Sequence, residues 1–442
     1  MILMITVYTY LCFSIFGYYD PDKKKRCLRK QNVLMFVMHL TAFLVMYLEK
    51  KDTKILALYL MQVTLLGGTI LLYSFIYPKV SRLVVNNMCM LLSIGFIMIT
   101  RLNYDKAAKQ YLIAAAGIVL CLVIPIIIRK VRFLSEWRIL YGIVGIVSLA
   151  VVVVVGRVSY GAMLGFTVAG INIQPSELVK IAFILAGAAT LDRLFRRRNL
   201  ILFIAFSAVC VGALALMGDF GTALVFFVCF LVISFMRSGS FATLFLAIGG
   251  AALAVMLVLT VKPYVAQRFA TWGHAWEDPL NTGFQQVRTM SATAAGGLFG
   301  RGAGAGWLKN IFAANTDMVF GVVCEELGLI VALCCVLSLL LLAVFSVRSA
   351  AAGRSSYYVI ASCATVTIFM AQLALNVFGS LDLLPFTGVT FPFVSKGGSS
   401  LISCWGMLAY IKAGDTRSGG SFALRTSFEN ARRGKKKKEA VK

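Results

Sequence analysis

Five carboxylates stand within one polar stretch of an otherwise apolar chain, between residues 262 and 326. They are Glu277, Asp278, Asp317, Glu325 and Glu326. A long loop at a membrane surface is either a functional lid and site or a linker. Aromatic and glycine residues alternate here with apolar ones, and no Ser/Pro-rich run or charge block interrupts them. This composition argues against a disordered linker.

A glycine-rich run, GGLFGRGAGAG at 296–306, lies in the middle of this loop. Glycine lets a backbone come close to a phosphate, and Arg301 lies within the run, with Arg288 and Lys309 nearby. The run has no Walker spacing, and no strand of a soluble domain precedes it. By itself it is therefore a weak signal for phosphate binding.

Asp317 follows Thr316 immediately before a hydrophobic helix. It is either an acid that favours a helix start or a catalytic carboxylate. Glu325 and Glu326 come about two turns later, where a carboxylate needs a polar cavity or a partner. Asp278, which precedes Pro279, is expected to structure the loop.

Two further motifs place ionisable groups at the ends of spans, where they are expensive and often functional. In INIQPSELVK at 171–180, Glu177 and Lys180 are three residues apart on one helical face. They form either a structural ion pair or the lining of a polar cavity for a charged headgroup. In GDFGT at 218–222, Asp219 lies in a tight turn between two spans and either satisfies local turn amides or has a functional role.

The segment LPFTGVTFPFVSKGGSS at 384–400 contains two Pro, three Gly and three Ser between two spans. It predicts a non-helical re-entrant turn on the same membrane face as Asp317. Carboxylates, basic side chains and glycine-rich backbone on one face suit chemistry on a lipid-linked, phosphate-bearing substrate.

The elements that position these residues are membrane spans. The chain has 442 residues, is 60% hydrophobic and only 14% charged. Repeated apolar runs of about 17–25 residues predict an all-α polytopic membrane protein. Met1–Tyr19 lacks a positive leader and a small-x-small cleavage site, so it is interpreted as a retained span. The eleven Cys contain no CxxC pair, and neither a disulfide framework nor a metal site is indicated.

The apolar runs predict about thirteen spans. With these spans, 29 of the 43 Lys and Arg fall on the side that includes the C-terminus. The positive-inside rule then places the N-terminus outside, the 262–318 loop outside and the C-terminus in the cytoplasm. This distribution also argues against nucleic acid as the reason for the +25 charge. The predicted spans are 1–19, 33–48, 55–77, 83–100, 110–128, 138–156, 176–192, 200–217, 220–236, 240–261, 319–347, 356–379 and 399–413.

Three regions follow from this pattern. Residues 1–82 hold three N-terminal spans, residues 83–413 hold a ten-span core with the 262–318 loop, and residues 414–442 form a basic tail. The tail has no apolar periodicity and is expected to be disordered. It either fixes topology as a solvated segment or adheres to anionic lipid.

Five motifs in this order resemble the SEDS family of RodA, FtsW and SpoVE. They are QPSELVK at 174–180, GDFGTAL at 218–224, GFQ…GGLFGRG at 283–302, TDMVFGVVCEELG at 316–328 and LPFTGVTFPFVSKGGSS at 384–400. The resemblance covers about residues 83–413, so the fold it implies is a ten-span SEDS-like core preceded by three extra transmembrane helices.

The resemblance implies a peptidoglycan glycosyltransferase that polymerises lipid II at the outer face of the bacterial cytoplasmic membrane. It implies a class B penicillin-binding transpeptidase as partner and a role in elongation, division or sporulation. It places the catalytic carboxylate on Asp317. A divalent cation, Mg²⁺ or Mn²⁺, is a candidate cofactor, with no bound metal site and no organic cofactor expected. The substrate-binding candidates are Lys396, Glu177, Lys180, Arg288, Arg301, Gln285, Glu325, Glu326 and Ser399.

The chain departs from the family pattern at several positions. The usual Arg-Arg-Trp cluster before Q-P-S-E is absent from GAMLGFTVAG at 161–170. Ala313, Ala314 and Asn315 replace the usual Pro-Glu and His, and Lys396 replaces a Tyr. The absent Arg-Arg-Trp cluster makes a non-catalytic scaffold one alternative. A flippase for lipid-linked cell-wall precursor is another, because charged groups within spans fit both a transporter and a transferase. A transporter site lies near the bilayer midplane, whereas the richest cluster of motifs here lies at the outer edge.

The charge asymmetry predicts a topology that reporter fusions can test. A reporter fused after Lys442 should be cytoplasmic, and one inserted near Asn281 should be external. Both reporters on one side of the membrane would contradict the thirteen-span arrangement.

Overall fold

The computed structural model describes residues 1–78, 81–130, 137–159, 162–168, 171–192, 197–261, 263–351 and 356–418. Within these ranges the fold is almost entirely helical. The helices are α1 Ile2–Gly17, α2 Pro21–Lys50, α3 Thr53–Ile76, α4 Arg82–Leu102, α5 Tyr104–Lys130, α6 Arg138–Val155, α7 Pro175–Asp192, α8 Arg197–Met217, α9 Phe220–Ser238, α10 Phe241–Val261, α11 Pro263–Thr271, α12 Phe284–Gly296, α13 Val319–Leu327, α14 Leu329–Ala351, α15 Ser356–Ser380 and α16 Gly398–Ser418.

Every predicted span corresponds to helix, which confirms the all-α polytopic class. Ten helices in the described part of the chain are long and apolar enough to cross a membrane, and α1 and the apolar part of α16 are shorter. The predicted span at 319–347 is broken at Gly328, which separates α13 from α14. Gly328 has a φ of 92° and lies against the backbone of Leu298 and Phe299. Because only glycine adopts this conformation readily, the break follows from the residue type.

A small antiparallel sheet, which the sequence patterns did not predict, lies between α6 and α7. Its strands are β1 Arg157–Ser159, β2 Ala162–Val168 and β3 Ile171–Ile173, with β2 in the centre. Phe166 pairs with Ile173 across β2 and β3. The sheet occupies the stretch from which the Arg-Arg-Trp cluster is absent, and it leads directly into α7.

The 262–318 loop is ordered along most of its length. It contains α11, α12 and two short 3₁₀ helices, Ala275–Glu277 and Leu308–Asn310. Asp278 accepts hydrogen bonds from the amide of Thr282 at 3.1 Å and from Asn281 Nδ2 at 2.9 Å. These bonds hold the pKa of Asp278 below its usual value. Asp278 therefore structures the loop, as its position before Pro279 predicted.

The N-terminal helices pack onto α4 through polar contacts as well as apolar ones. Tyr8 on α1 donates to Asn87 Oδ1 at 3.2 Å, and His39 Nδ1 on α2 lies 2.8 Å from Ser93 Oγ. Together with α5 and α14, the N-terminal helices bury the whole candidate membrane-spanning window of α4. Residues 1–82 thus cover the first helix of the predicted ten-span core.

The predicted re-entrant turn is present between α15 and α16, and it enters the helix bundle. A Cβ added to Gly95 of α4 would lie 2.7 Å from the carbonyl oxygen of Val394 and 2.9 Å from that of Phe393. Gly95 is six residues before Arg101, about 9 Å along the helix axis. Phe393 has a φ of 65° at this point, and its ring contacts Trp405 edge-on.

The predicted basic tail falls mostly outside the described residues. Helix α16 continues to Ser418, five residues beyond the predicted end of the last span. The disorder expected for the remainder of the tail stays a prediction.

The close approach at Gly95 predicts a specific sensitivity. Gly95→Ala should lower the free energy of unfolding by about 1–3 kcal/mol, because the added methyl group meets backbone atoms. Thermal unfolding of the purified protein in detergent would measure the loss. Gly212→Ala on α8, where a Cβ has nothing within 4 Å, is the matched control. Equal unfolding temperatures for the two variants would contradict the packing described here.

Candidate functional site

Asp317 lies in a tight turn directly before α13. The amides of Thr316, Asp317 and Met318 all donate to the carbonyl oxygen of Ala313, at 3.0, 3.1 and 3.3 Å. Ala313 has a φ of 65°, so the turn is set by a left-handed residue. The Asp317 side chain is half-buried. The turn therefore places this carboxylate just before the N-terminus of α13 and not within the helix.

The re-entrant segment is hydrogen-bonded to the Asp317 turn. The amide of Lys396 donates to the carbonyl oxygen of Asn315 at 2.7 Å, and Ser395 Oγ donates to that of Thr316 at 2.5 Å. Asn376 on α15 donates to the carbonyl oxygens of both Asp317, at 2.9 Å, and Val389, at 2.8 Å. The bonds hold Lys396 and Asp317 in one assembly.

Gly388 brings the re-entrant backbone against the Asp317 carboxylate. A Cβ at this position would lie 3.4 Å from Asp317 Oδ2, and Gly388 has a φ of 72°. The residue before Gly388 contacts α9: a Cβ added to Gly221 of α9 would lie 2.8 Å from the carbonyl oxygen of Thr387. The GDFGT turn and the re-entrant segment therefore interlock beside Asp317.

Lys396 lies in a cationic environment. Partial burial lowers its pKa, and the positive charges of Lys106 and Lys109 at the start of α5 lower it further. The sequence patterns singled out Lys396 but missed the two lysines of α5. Their spacing, three residues apart on one helical face after the fourth span, was the available signal. Together, these three side chains offer a site for an anion.

Glu177 and Lys180 form the predicted ion pair, with Lys180 Nζ 2.7 Å from Glu177 Oε1. Both side chains are buried near the start of α7. Asp219 is close enough to both to interact electrostatically, and it caps α9 by accepting from the amide of Thr222 at 3.1 Å. Among the described residues, Glu177 Oε2 and Asp219 Oδ2 are buried without a hydrogen-bond partner. Such atoms mark a polar region that is only partly satisfied.

Ser399, another predicted substrate-binding residue, lies at the start of α16. Its Oγ accepts a hydrogen bond from the amide of Gln174 at 3.0 Å. Ser403, one turn later, donates to the carbonyl oxygen of Glu177 at 2.7 Å. These contacts connect the re-entrant segment to the start of α7 and so bring the Glu177–Lys180 pair next to it.

Glu325 and Glu326 have contacts that favour a structural role over the predicted substrate-binding one. Glu325 accepts from the amides of Trp307 at 2.9 Å and Leu308 at 3.0 Å. Glu326 accepts from the amide of Gly304 at 2.8 Å and forms an ion pair with the buried Arg101. Both carboxylates are buried and bound to their own chain.

The glycine-rich run is held by these contacts instead of being open to a phosphate. The amides of Arg301 and Gly302 donate to the carbonyl oxygens of Glu325 and Glu326, at 2.9 and 3.1 Å. The Arg301 side chain is exposed. The approach of this run's backbone to a phosphate stays a prediction.

Arg288 and Gln285 both lie on α12. The guanidinium of Arg288 lies over the rings of Phe284 and Trp307, at 5.3 and 5.7 Å. Gln285 is half-buried one turn before Thr289, whose hydroxyl donates to its carbonyl oxygen at 2.7 Å. Arg288 is thus stacked on aromatic rings. The substrate contacts of both residues stay predictions.

Comparison with known proteins agrees with the resemblance of the motifs. A family model described as a cell cycle protein of the FtsW, RodA and SpoVE type matches residues 80–416. The chain belongs to the FtsW/RodA/SpoVE family. The match starts at α4, so α1 to α3 lie before the part of the chain that the family model covers.

Several relatives in this family carry the same functional name. The peptidoglycan glycosyltransferase RodA of Mycobacterium tuberculosis is 26% identical over 377 residues, covering 79% of this chain and 80% of the relative. The probable peptidoglycan glycosyltransferase FtsW of Geobacter metallireducens is 30% identical over 338 residues, covering 70% and 87%.

Solved structures show the same fold. A chain from a study of polymerization and crosslinking by a peptidoglycan synthase complex matches with a TM-score of 0.62 and 25% identity, over 75% of this chain and 96% of that one. The crystal structure of the rod shape determining protein RodA of Thermus thermophilus matches with a TM-score of 0.58 and 23% identity, over 75% and 95%.

The environment of Lys396 predicts a pH dependence. Because its pKa lies below the ordinary 10.5, the ammonium group loses its proton at a lower pH than a free lysine. If the charge binds substrate, kcat/KM for glycan polymerisation should fall as the pH rises through this pKa. Lys396→Arg should move the alkaline limb of the profile to higher pH, because a guanidinium stays protonated there.

Lys309→Arg is the matched control for this measurement, because Lys309 is exposed and donates to the carbonyl oxygen of Gly304. It should leave the profile unchanged. An identical alkaline limb in Lys396→Arg and wild type would show that Lys396 does not supply the titrating charge.

Proposed function

We propose that this chain is a peptidoglycan glycosyltransferase of the bacterial cytoplasmic membrane, which polymerises lipid II into glycan strands. The observation that carries the proposal is the assembly of Asp317 and Lys396 by the re-entrant segment. A carboxylate and an ammonium group are held by backbone hydrogen bonds at one end of the helix bundle. The functional names of the relatives support the same activity.

The proposed reaction is an inverting glycosyl transfer. The 4-hydroxyl oxygen of an acceptor GlcNAc forms a bond to the anomeric carbon of a donor MurNAc. The bond from that carbon to the polyprenyl diphosphate oxygen breaks on the opposite face. Asp317 takes the hydroxyl proton as general base. Asp317 is half-buried, and the backbone of Gly388 lies against its carboxylate.

The departing diphosphate needs positive charge. Lys396, Lys106 and Lys109 supply it, because their charges are close enough to affect one another. Arg288 and Arg301 are candidates for contacts with more distant parts of the substrate.

A divalent cation would add Lewis-acid stabilisation of the same group. In the described part of the chain no three His, Cys, Asp or Glu side chains cluster as metal ligands. Mg²⁺ is commonly held by one or two carboxylates together with substrate phosphates. No side chain is assigned as a ligand of such an ion, because Asp317 acts on the opposite face of the sugar, and the requirement for Mg²⁺ or Mn²⁺ stays a prediction.

Glu177, Lys180 and Asp219 form the polar floor next to this assembly. The two carboxylate oxygens without partners in the described residues point to a role in binding hydroxyl or amide donors of the substrate. Ser399 then positions this floor by holding the start of α7.

The proposed orientation puts Asp317 at the outer face, with the N-terminus outside and the C-terminus in the cytoplasm. A class B penicillin-binding transpeptidase is the proposed partner, since a glycan polymer needs crosslinking. The structural match to a chain of a peptidoglycan synthase complex supports this pairing. Which transpeptidase is the partner would determine whether the cellular role is in elongation, division or sporulation.

Asp317→Asn tests the catalytic assignment. The amide keeps the size of the side chain but cannot accept a proton at neutral pH. Removal of a general base costs about 10²–10⁴ in rate. The variant should fold, bind lipid II and form almost no polymer when purified protein is assayed on gels that resolve glycan strands.

Asp278→Asn is the control, because Asp278 is an exposed loop acid and should tolerate the change far better. Near-wild-type polymerisation by Asp317→Asn would refute the assignment. A flippase would instead move lipid II across a vesicle bilayer without forming polymer, and a scaffold would do neither.

A further inference from the structure

A second polar feature lies at the opposite end of α4 from the Glu326–Arg101 contact. It is an open cleft of about 440 Å³, its mouth included, between the first turns of α2, the end of α3 and the start of α4. Helix α4 has 21 residues, so the cleft is roughly 30 Å from that contact. It is therefore separate from the candidate active site.

Of the described residues that line this cleft, three are cations and none is an acid. Lys25 and Arg29 come from α2, and Arg82 comes from α4. Lys25 lies 3.9 Å from Asp22, and both of these side chains are largely exposed. Arg29 and Arg82 form no ion pair among the described residues. Unpaired guanidinium groups in a concave surface favour a bound anion.

The floor of the cleft adds polar groups with fixed positions. Asn86 Nδ2 donates to Gln31 Oε1 at 3.1 Å, which fixes its orientation. Asn32 Oδ1 is buried and has no hydrogen-bond partner in the described part of the chain. A hydrogen-bond donor from a ligand or from an ordered water satisfies a buried amide oxygen of this kind. The hydroxyl of a glycerol headgroup provides one.

The surface beside the cleft is apolar and faces outward. Leu71 and Phe75 on α3 are 70% and 87% exposed, and Val33 on α2 is 61% exposed. On membrane-spanning helices, such side chains contact acyl chains. A ligand with a phosphate, a hydroxyl and hydrocarbon tails would match the cations, the amide and this surface together.

We propose that the cleft between α2, α3 and α4 binds the headgroup of an anionic glycerophospholipid, in the leaflet opposite Asp317. Arg29 and Arg82 hold the phosphate from two helices, and the acyl chains lie along the exposed faces of α2 and α3. The lipid connects the extra N-terminal helices to the first helix of the family core. Basic pockets between helices on the cytoplasmic side commonly bind such headgroups.

Lipid retention by the purified full-length protein tests the proposal. Native mass spectrometry in detergent would follow titration with phosphatidylglycerol, with phosphatidylcholine and with inorganic phosphate. Wild type should retain phosphatidylglycerol selectively. Arg29→Gln/Arg82→Gln should bind it about 30-fold more weakly, since each basic residue near anionic lipid contributes about 1 kcal/mol.

Arg26→Gln/Lys30→Gln is the matched control. It removes the same net charge from exposed positions of α2 that do not line the cleft. It should retain phosphatidylglycerol as wild type does. If both double variants lost phosphatidylglycerol retention equally, the lipid would be held by general electrostatic attraction, and the proposed specific site would be wrong.

A third variant, Ser74→Trp, fills the cleft without changing charge. It should abolish selective retention, and it keeps the test decisive if the arginine variant does not fold. Competition by inorganic phosphate at similar concentration would assign the site to a soluble anion instead of a lipid. Retention of phosphatidylglycerol unchanged by Ser74→Trp would also refute the proposal.

Discussion

Backbone groups inside a membrane must find partners within the protein, because lipid offers none. The re-entrant segment between α15 and α16 satisfies this constraint and defines the candidate site. The Asn376 side chain donates hydrogen bonds to two backbone carbonyls, and the Ser395 hydroxyl and the Lys396 amide donate to one more each. Three of these four carbonyls belong to residues 315–317. The bonds that satisfy backbone groups around the re-entrant segment therefore also fix the Asp317 turn. Structure and proposed chemistry depend on one hydrogen-bond set.

A buried ionic cluster holds the 262–318 loop against the helix bundle. Glu325 and Glu326 bind the amides of the glycine-rich run, and Arg101 neutralises Glu326 from α4. Breaking a buried pair of this kind by removing one partner is costly, about 3–5 kcal/mol. Lys50 on α2 donates to the carbonyl oxygen of Arg101 at 3.1 Å, so the N-terminal helices also reach this cluster. The extra spans thereby contact the core at both ends of α4.

The two ends of α4 have different chemistry. Its last turn meets carboxylates and the loop beside the proposed active site, whereas its first turn contributes to a basic cleft. The candidate membrane-spanning part of this helix is wholly buried, and Gly95 admits the re-entrant backbone nearer to the Arg101 end than to the Arg82 end. Polar pairs such as His39 with Ser93 hold α2 to it between these points. One buried helix thus joins the N-terminal unit, the re-entrant segment and the loop.

The sequence by itself determined the helical class, the positions of the apolar helices, the family and the Glu177–Lys180 pair, because these depend on local hydrophobicity, on motif order and on i, i+3 spacing. It also marked Asp317 and Lys396 as candidates. Only the tertiary structure decided what each charged group faces. The sequence indicated that Glu325 and Glu326 need a polar cavity or a partner, and the structure shows that they bind amides about twenty residues earlier in the chain. Lys106 and Lys109 approach Lys396 from almost 300 residues away. Such contacts arise from helix packing across long sequence separations, and no periodicity in a single sequence records them.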